Sequence, residues 1–233
     1  MGLGVSQKRR FGVSTRLYQR HRLRRDHLLE IAAHGFAAVE LIAARAHLDF
    51  QNPAAVADLQ QWLGEAGLEL SSVHVPLEED AEAAVLIARR IPVPVLVVRA
   101  TTPRDTAKTI DRLAGVAAPL DVGLAIDSTS LTPIGSLVHF VESVEAPVGI
   151  CLDFAAAAVG GRLIDTLEEV AEHLALARLP VESAIDWASA MTTAQKIGYE
   201  GPLIFDAEAR GSSKETLARA KQARGRMERL LAP

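Results

Sequence analysis

Short apolar runs rich in valine, isoleucine and leucine recur along the chain at fairly regular intervals. They are Phe11–Ser14, Ala37–Ile42, Leu68–His74, Val93–Arg99, Val122–Asp127, Pro147–Asp153, Leu174–Leu179 and Leu203–Asp206. The runs are continuous rather than alternating, which predicts strands covered on both faces, as in a parallel sheet. The segments between them have helical spacing. In "RRDHLLEIAAHG", Leu28, Leu29, Ala32 and Ala33 share a face and Gly35 ends the pattern. Asn52-Pro53, Thr102-Pro103 and Thr132-Pro133 each pair a capping side chain with a proline in the first helical turn. "DTLEEVAEHL", "DWASAMTTAQKIG" and "SSKETLARAKQARGRMERLL" continue the alternation.

Eight strands each followed by a helix mean an open doubly wound sheet or a closed ring. Eight units in 233 residues favour closure, so the predicted fold is an α/β protein, a (β/α)8 TIM barrel, one domain over 1–233 with residues 1–9 flexible. No glycine-rich dinucleotide fingerprint follows any strand, and Gly160-Gly161 alone says little about phosphate. Aromatic residues make up only 4% of the chain, so Ala, Val, Leu and Ile must fill the interior. The one cysteine, Cys151, excludes a disulfide framework and fits a reducing compartment. With no apolar stretch near the ~20 residues of a membrane span and no signal-peptide order at the start, a cytoplasmic protein is expected.

The net charge is -4, yet Lys8, Arg9, Arg10, Arg16, Arg20, Arg22, Arg24 and Arg25 crowd the first segment against Asp26 alone. Such asymmetry marks either a surface that meets phosphate or nucleic acid, or a solvated and partly frayed start.

Polar residues at the C-terminal ends of barrel strands converge on one axis, where barrel enzymes keep their chemistry. The candidates are Ser14, Thr15 and Arg16 after the first strand, Glu40 within the second, His74 in the third and Arg99 ending the fourth. Asp127, Asp153 and Asp206 close the fifth, sixth and eighth. Three carboxylates at one mouth repel, and they require a cation or a proton. An all-oxygen set suits Mg2+ or Mn2+, and a histidine shifts the preference toward Mn2+ or Zn2+. Asp127, before "STSLTP", also suits an N-cap, whereas Asp153 has few polar neighbours and reads as functional. His74 is either a satisfied core histidine or a site group. Arg99 follows four apolar residues, and a buried arginine there needs an anion, an aspartate or a substrate phosphate. Glu40 can simply tie two strands together.

"FGVSTRLY", "GFAAVEL", "GLELSSVHVP" and, near the end, "IDW" with "KIGYEGPLIF" resemble the xylose isomerase-like TIM barrel superfamily, nearest its sugar phosphate isomerase/epimerase branch. The resemblance spans nearly the whole chain. It implies one divalent metal held by acids after strands 5, 6 and 8 and a histidine after strand 7, the acids of strands 5 and 8 also moving the proton. Carried onto this sequence, the metal ligands are Asp127, Asp153 and Asp206, and the catalytic pair is Asp127 and Asp206. His74, Arg99, Arg16 and Glu40 would contact substrate. The chain departs from the pattern: both catalytic acids are one methylene shorter than glutamate, "FAAAAVGG" follows Asp153 where a histidine is usual, and "LALARLPVESAIDW" offers no histidine and a short loop.

Two functions follow. One is isomerisation or epimerisation of a small sugar or sugar phosphate through an enediolate, a divalent Mn2+, Mg2+ or Zn2+ polarising the carbonyl while the two aspartates exchange the proton. The other is a catalytically inactive barrel that binds or regulates, with no metal. A nucleic-acid enzyme of the AP endonuclease branch, which shares the resemblance, needs several rim histidines where this chain has His74 alone. The expected partner is a small carbohydrate or sugar phosphate rather than nucleic acid, with no membrane, and an oligomer is allowed.

Overall fold

The computed structural model describes residues 11–130, 133–182, 184–207 and 212–231. Eight parallel strands close into a ring in chain order. They are β1 (Phe11–Ser14), β2 (Ala38–Ile42), β3 (Glu69–Val75), β4 (Val95–Val98), β5 (Gly123–Asp127), β6 (Val148–Asp153), β7 (Leu174–Pro180) and β8 (Leu203–Asp206). Pairing of Gly12 with Ile204 joins β1 to β8 and completes the barrel. Every strand lies within two residues of its predicted bounds.

Outside the ring run α1 (Arg25–Ala33), α2 (Pro53–Ala66), α3 (Ala81–Val85), α4 (Pro103–Ala117), α5 (Ile134–Ser143), α6 (Phe154–Ala157), α7 (Leu163–Glu169), α8 (Trp187–Lys196) and α9 (Ser213–Leu230). The predicted caps operate. Asn52 Oδ1 accepts from the Ala54 N–H, Thr102 Oγ1 from Asp105, and Gly67 closes α2 at φ 64°, a left-handed geometry that favours glycine. The predicted cap at Thr132 lies outside the described residues, as do Lys8, Arg9, Arg10 and the rest of the 1–9 segment. Two helices do not stand out in the sequence, α3 after β3 and α6 after β6. Both are too short for a hydrophobic period to repeat. No helix among the described residues is long and apolar enough to cross a membrane.

The core has two parts. Most apolar side chains fill the layer between barrel and helices, with Phe11, Phe36 and Phe205 packed together at ring-centroid distances of 6.1 and 6.0 Å. A second, smaller cluster comprises Val97, Ala125, Cys151, Leu176 and Ile204, one from each strand β4 to β8. These are the interior residues of the barrel, and their small size fits a narrow ring. Gly12 completes that layer by omission: a Cβ there would sit 2.7 Å from Ile204 Cδ1 and 2.9 Å from the Ala38 carbonyl oxygen.

Candidate functional site

Side chains alternate across a strand, so the residue two places beyond an interior one faces inward again, nearer the C-terminal mouth. Ala125 leads to Asp127, Cys151 to Asp153, Leu176 to Arg178 and Ile204 to Asp206. Ser14 stands beside Glu40, Glu40 beside Ser72, and Asp153 beside Arg178 in the strand register. The mouth therefore holds the acids expected of it and one residue the sequence did not single out, Arg178.

Arg178 is the hub. Its Nη2 donates to Glu40 Oε2 at 2.9 Å and its Nη1 to Asp127 Oδ2 at 3.1 Å, across the barrel from β7 to β2 and β5. The three side chains are 3%, 0% and 5% exposed. Ser72 Oγ also donates to Glu40 Oε2, at 3.1 Å. Asp127 Oδ1 accepts from the Thr129 N–H at 2.8 Å and from its hydroxyl at 2.7 Å. His74 Nε2 stands 3.5 Å from Asp127 Oδ2, and neither ring nitrogen of His74 has a hydrogen-bond partner among the described residues.

One guanidinium shared by two acids serves them unequally. Burial pushes the Glu40 carboxyl above the usual range, and Arg178 does not fully offset it. Asp127 is buried too, but Arg178, His74 and the two Thr129 donors hold it below the usual carboxylate range. Burial, with the Arg178 charge beside it, drives His74 well below an ordinary histidine, so its ring is neutral at pH 7. Burial raises Asp153, and its neighbours Asp206 and Asp127 add to the effect.

The remaining predicted residues divide. Arg16 and Asp206 pair across the rim, Nη1 to Oδ2 at 3.2 Å, while Asp206 Oδ1 is buried without a hydrogen-bond partner. Asp153 is an N-cap after all, its Oδ1 accepting from the Ala156 N–H at 2.8 Å. The backbone of the four-residue α6 supplies a polar partner for it that the sequence does not show. Arg99 is exposed rather than buried, because β4 stops at Val98 and releases it to solvent. Glu40 does tie strands together, but it joins three, β2, β3 and β7.

These residues do not fit a divalent ion. Both oxygens of Asp127 are engaged, as are Asp153 Oδ1 and Asp206 Oδ2. Among the described residues no three His, Cys, Asp or Glu side chains converge as ligands. Mg2+ and Mn2+ need about six oxygens and Zn2+ about four donors.

Beside the mouth, between the ends of β7 and β8 and the start of α9, a cavity of about 310 Å3 is lined by Arg16, Pro180, Val181, Glu182, Asp206, Ala207, Thr216 and Arg219. In the basic first segment, Arg16 is paired with Asp206 and Arg25 with Glu65.

A parallel eight-stranded ring with polar side chains gathered at its C-terminal mouth defines a (β/α)8 barrel. More narrowly, its fold is similar to that of solved sugar epimerases and xylose isomerase-like TIM barrel proteins. A D-psicose 3-epimerase from Clostridium cellulolyticum H10, solved with D-tagatose, superposes at TM-score 0.74 with 15% identity, covering 96% of this chain and 100% of the other. The 3-keto-D-glucoside 4-epimerase from E. coli gives 0.77 at 13% identity, over 94% and 99%. A xylose isomerase-like TIM barrel protein from Mycobacterium smegmatis, in complex with magnesium, gives 0.73 at 14% identity, over 96% of both chains. No protein-family model and no curated protein matches the sequence.

Proposed function

We propose that this barrel binds a small neutral carbohydrate at its C-terminal mouth without metal-dependent turnover. The observation that carries the reading is the group of buried polar atoms there without a hydrogen-bond partner among the described residues: His74 Nδ1 and Nε2, Asp206 Oδ1, Glu40 Oε1 and Arg178 Nε. Buried polar atoms in native proteins nearly always have partners, so such a cluster asks for a ligand or ordered water. A neutral imidazole needs one donor and one acceptor, and a carboxylate oxygen needs a donor; adjacent sugar hydroxyls provide both. The cavity beside Arg16 and Asp206, about 310 Å3, falls at the lower end of the roughly 300–1,000 Å3 of small-molecule sites. Among the described residues, the carboxylates of Glu40, Asp127, Asp153 and Asp206 share the guanidiniums of Arg16 and Arg178, while Arg219 at the cavity's edge is paired with Glu182, and that excess of acids over guanidiniums disfavours a phosphate ester.

Turnover is the second reading, favoured by the sugar epimerases that share the fold. It needs Asp127 and Asp206 to pass a proton. A carboxylate held low by an arginine, a threonine and a histidine is a poor base, and its fixed contacts leave it little freedom to approach a substrate carbon.

Isothermal titration with D-tagatose, alongside chromatographic assay for epimerised or isomerised product, separates the two. Binding without product is expected. His74→Ala should weaken it by about tenfold, the cost of one or two hydrogen bonds in a desolvated site, with the fold retained by circular dichroism. Product formation from wild-type protein would restore the catalytic reading. Unaltered affinity in His74→Ala would remove the mouth from the binding account.

A further inference from the structure

We propose that Arg178 is the permanent cation of this site, occupying within the chain the charge-balancing role that a divalent ion has between rim carboxylates. The inference does not depend on which ligand the mouth takes. It rests on placement: the guanidinium bridges two acids from separate strands of the ring, Glu40 on β2 and Asp127 on β5, reaching both from β7, where it lies beside Asp153 in the register. On the strand from which the family resemblance draws a histidine ligand, the inward position at the mouth is this arginine.

Three consequences separate a resident cation from an ordinary surface pair. First, the charge is covalently present, so no affinity or supply of metal limits the site. Second, a guanidinium offers a planar fork of donors and cannot accept a lone pair, so it orders oxygens by hydrogen bonding but opens no coordination position. Third, its removal leaves two buried carboxylates facing each other with no counter-charge, which is costly in a way that losing an exposed pair is not.

Thermal unfolding of the full chain tests the proposal, with wild type, Arg178→Ala and Arg178→Lys each stripped with EDTA and titrated with MnCl2. The wild-type Tm should move by less than about 1 °C, because an ion that does not bind the native state cannot stabilise it. Arg178→Ala should melt roughly 10 °C lower, as breaking a buried pair in a chain of this size implies. It should recover part of that loss with millimolar Mn2+ or millimolar guanidinium ion, either of which returns positive charge to the gap. Should Arg178→Ala fail to fold, Arg178→Lys gives the reading: with its charge kept, it should fold and ignore Mn2+. A rise of several degrees in wild-type Tm with Mn2+, abolished by Asp153→Ala, would overturn the proposal. An Arg178→Ala protein as stable as wild type would do the same.

Discussion

Buried histidines help set the acid limit of this protein. His74 at the mouth and His47, whose Nδ1 lies 2.8 Å from the His21 carbonyl oxygen, are both buried, and burial holds both below the ordinary histidine value. In the unfolded chain each takes up a proton near pH 6.5, whereas the folded form resists until lower pH. Between those limits the unfolded state binds more protons, so their contribution is complete above about pH 6.5 and declines as pH falls. The slope is at most roughly 1.4 kcal/mol per pH unit for each ring. Asp127, also held low, contributes in the same sense but only below about pH 4, where an unfolded aspartate protonates. Glu40 is raised, so it favours the fold where protonated and loses that contribution as pH rises through its folded value. Urea midpoints should therefore drop between pH 7.5 and 5.5. His47→Gln should flatten that slope, and an unchanged slope would refute the assignment.

At the scale of elements, closeness of β1 to its neighbours depends on a missing side chain. A Cβ on Gly12 meets backbone as well as the tip of Ile204, so β1 must move from β2 or the interior layer must shift. Gly12→Ala should cost about 1–3 kcal/mol, as overpacking does, read as a lower denaturation midpoint at unchanged helical signal. A neutral outcome would mean that the barrel tolerates far more play than its packing indicates. The strands themselves were legible because their apolar runs are continuous and bounded by glycine, proline and capping residues. Asp127, Asp206, Glu40 and His74 were legible because they end or interrupt such runs. Arg178 was not, since "LALARL" reads as one small apolar strand and a lone arginine inside it passes for a solvated residue. Its signal was the step of two from Leu176, the same step that links Ala125 to Asp127 and Ile204 to Asp206. The capping role of Asp153 was hidden for the opposite reason: four residues of α6 have no period, so nothing in the sequence announces the helix that it caps. Arg99 obeys the same step from Val97, but β4 ends one residue too early for it to follow the interior.

At the scale of the molecule, topology narrows what the barrel can do. Within the described part of the basic first segment, Arg16 pairs with Asp206 and Arg25 with Glu65, while Arg20, Arg22 and Arg24 face solvent. Closure of β1 on β8 leaves no strand with an unpaired edge, so the interior is reached only by parting staves or through the mouth. Beneath the Arg178 hub lies Cys151, the sole thiol of the chain, 1% exposed and pushed well up by burial. That makes the cysteine a stopwatch for breathing of the ring. A disulfide reagent such as DTNB should leave the native protein colourless and release one equivalent of chromophore per chain once urea unfolds it. Under native conditions the slow colour change would then count openings of the barrel, faster in Arg178→Ala where the pin across its middle is gone.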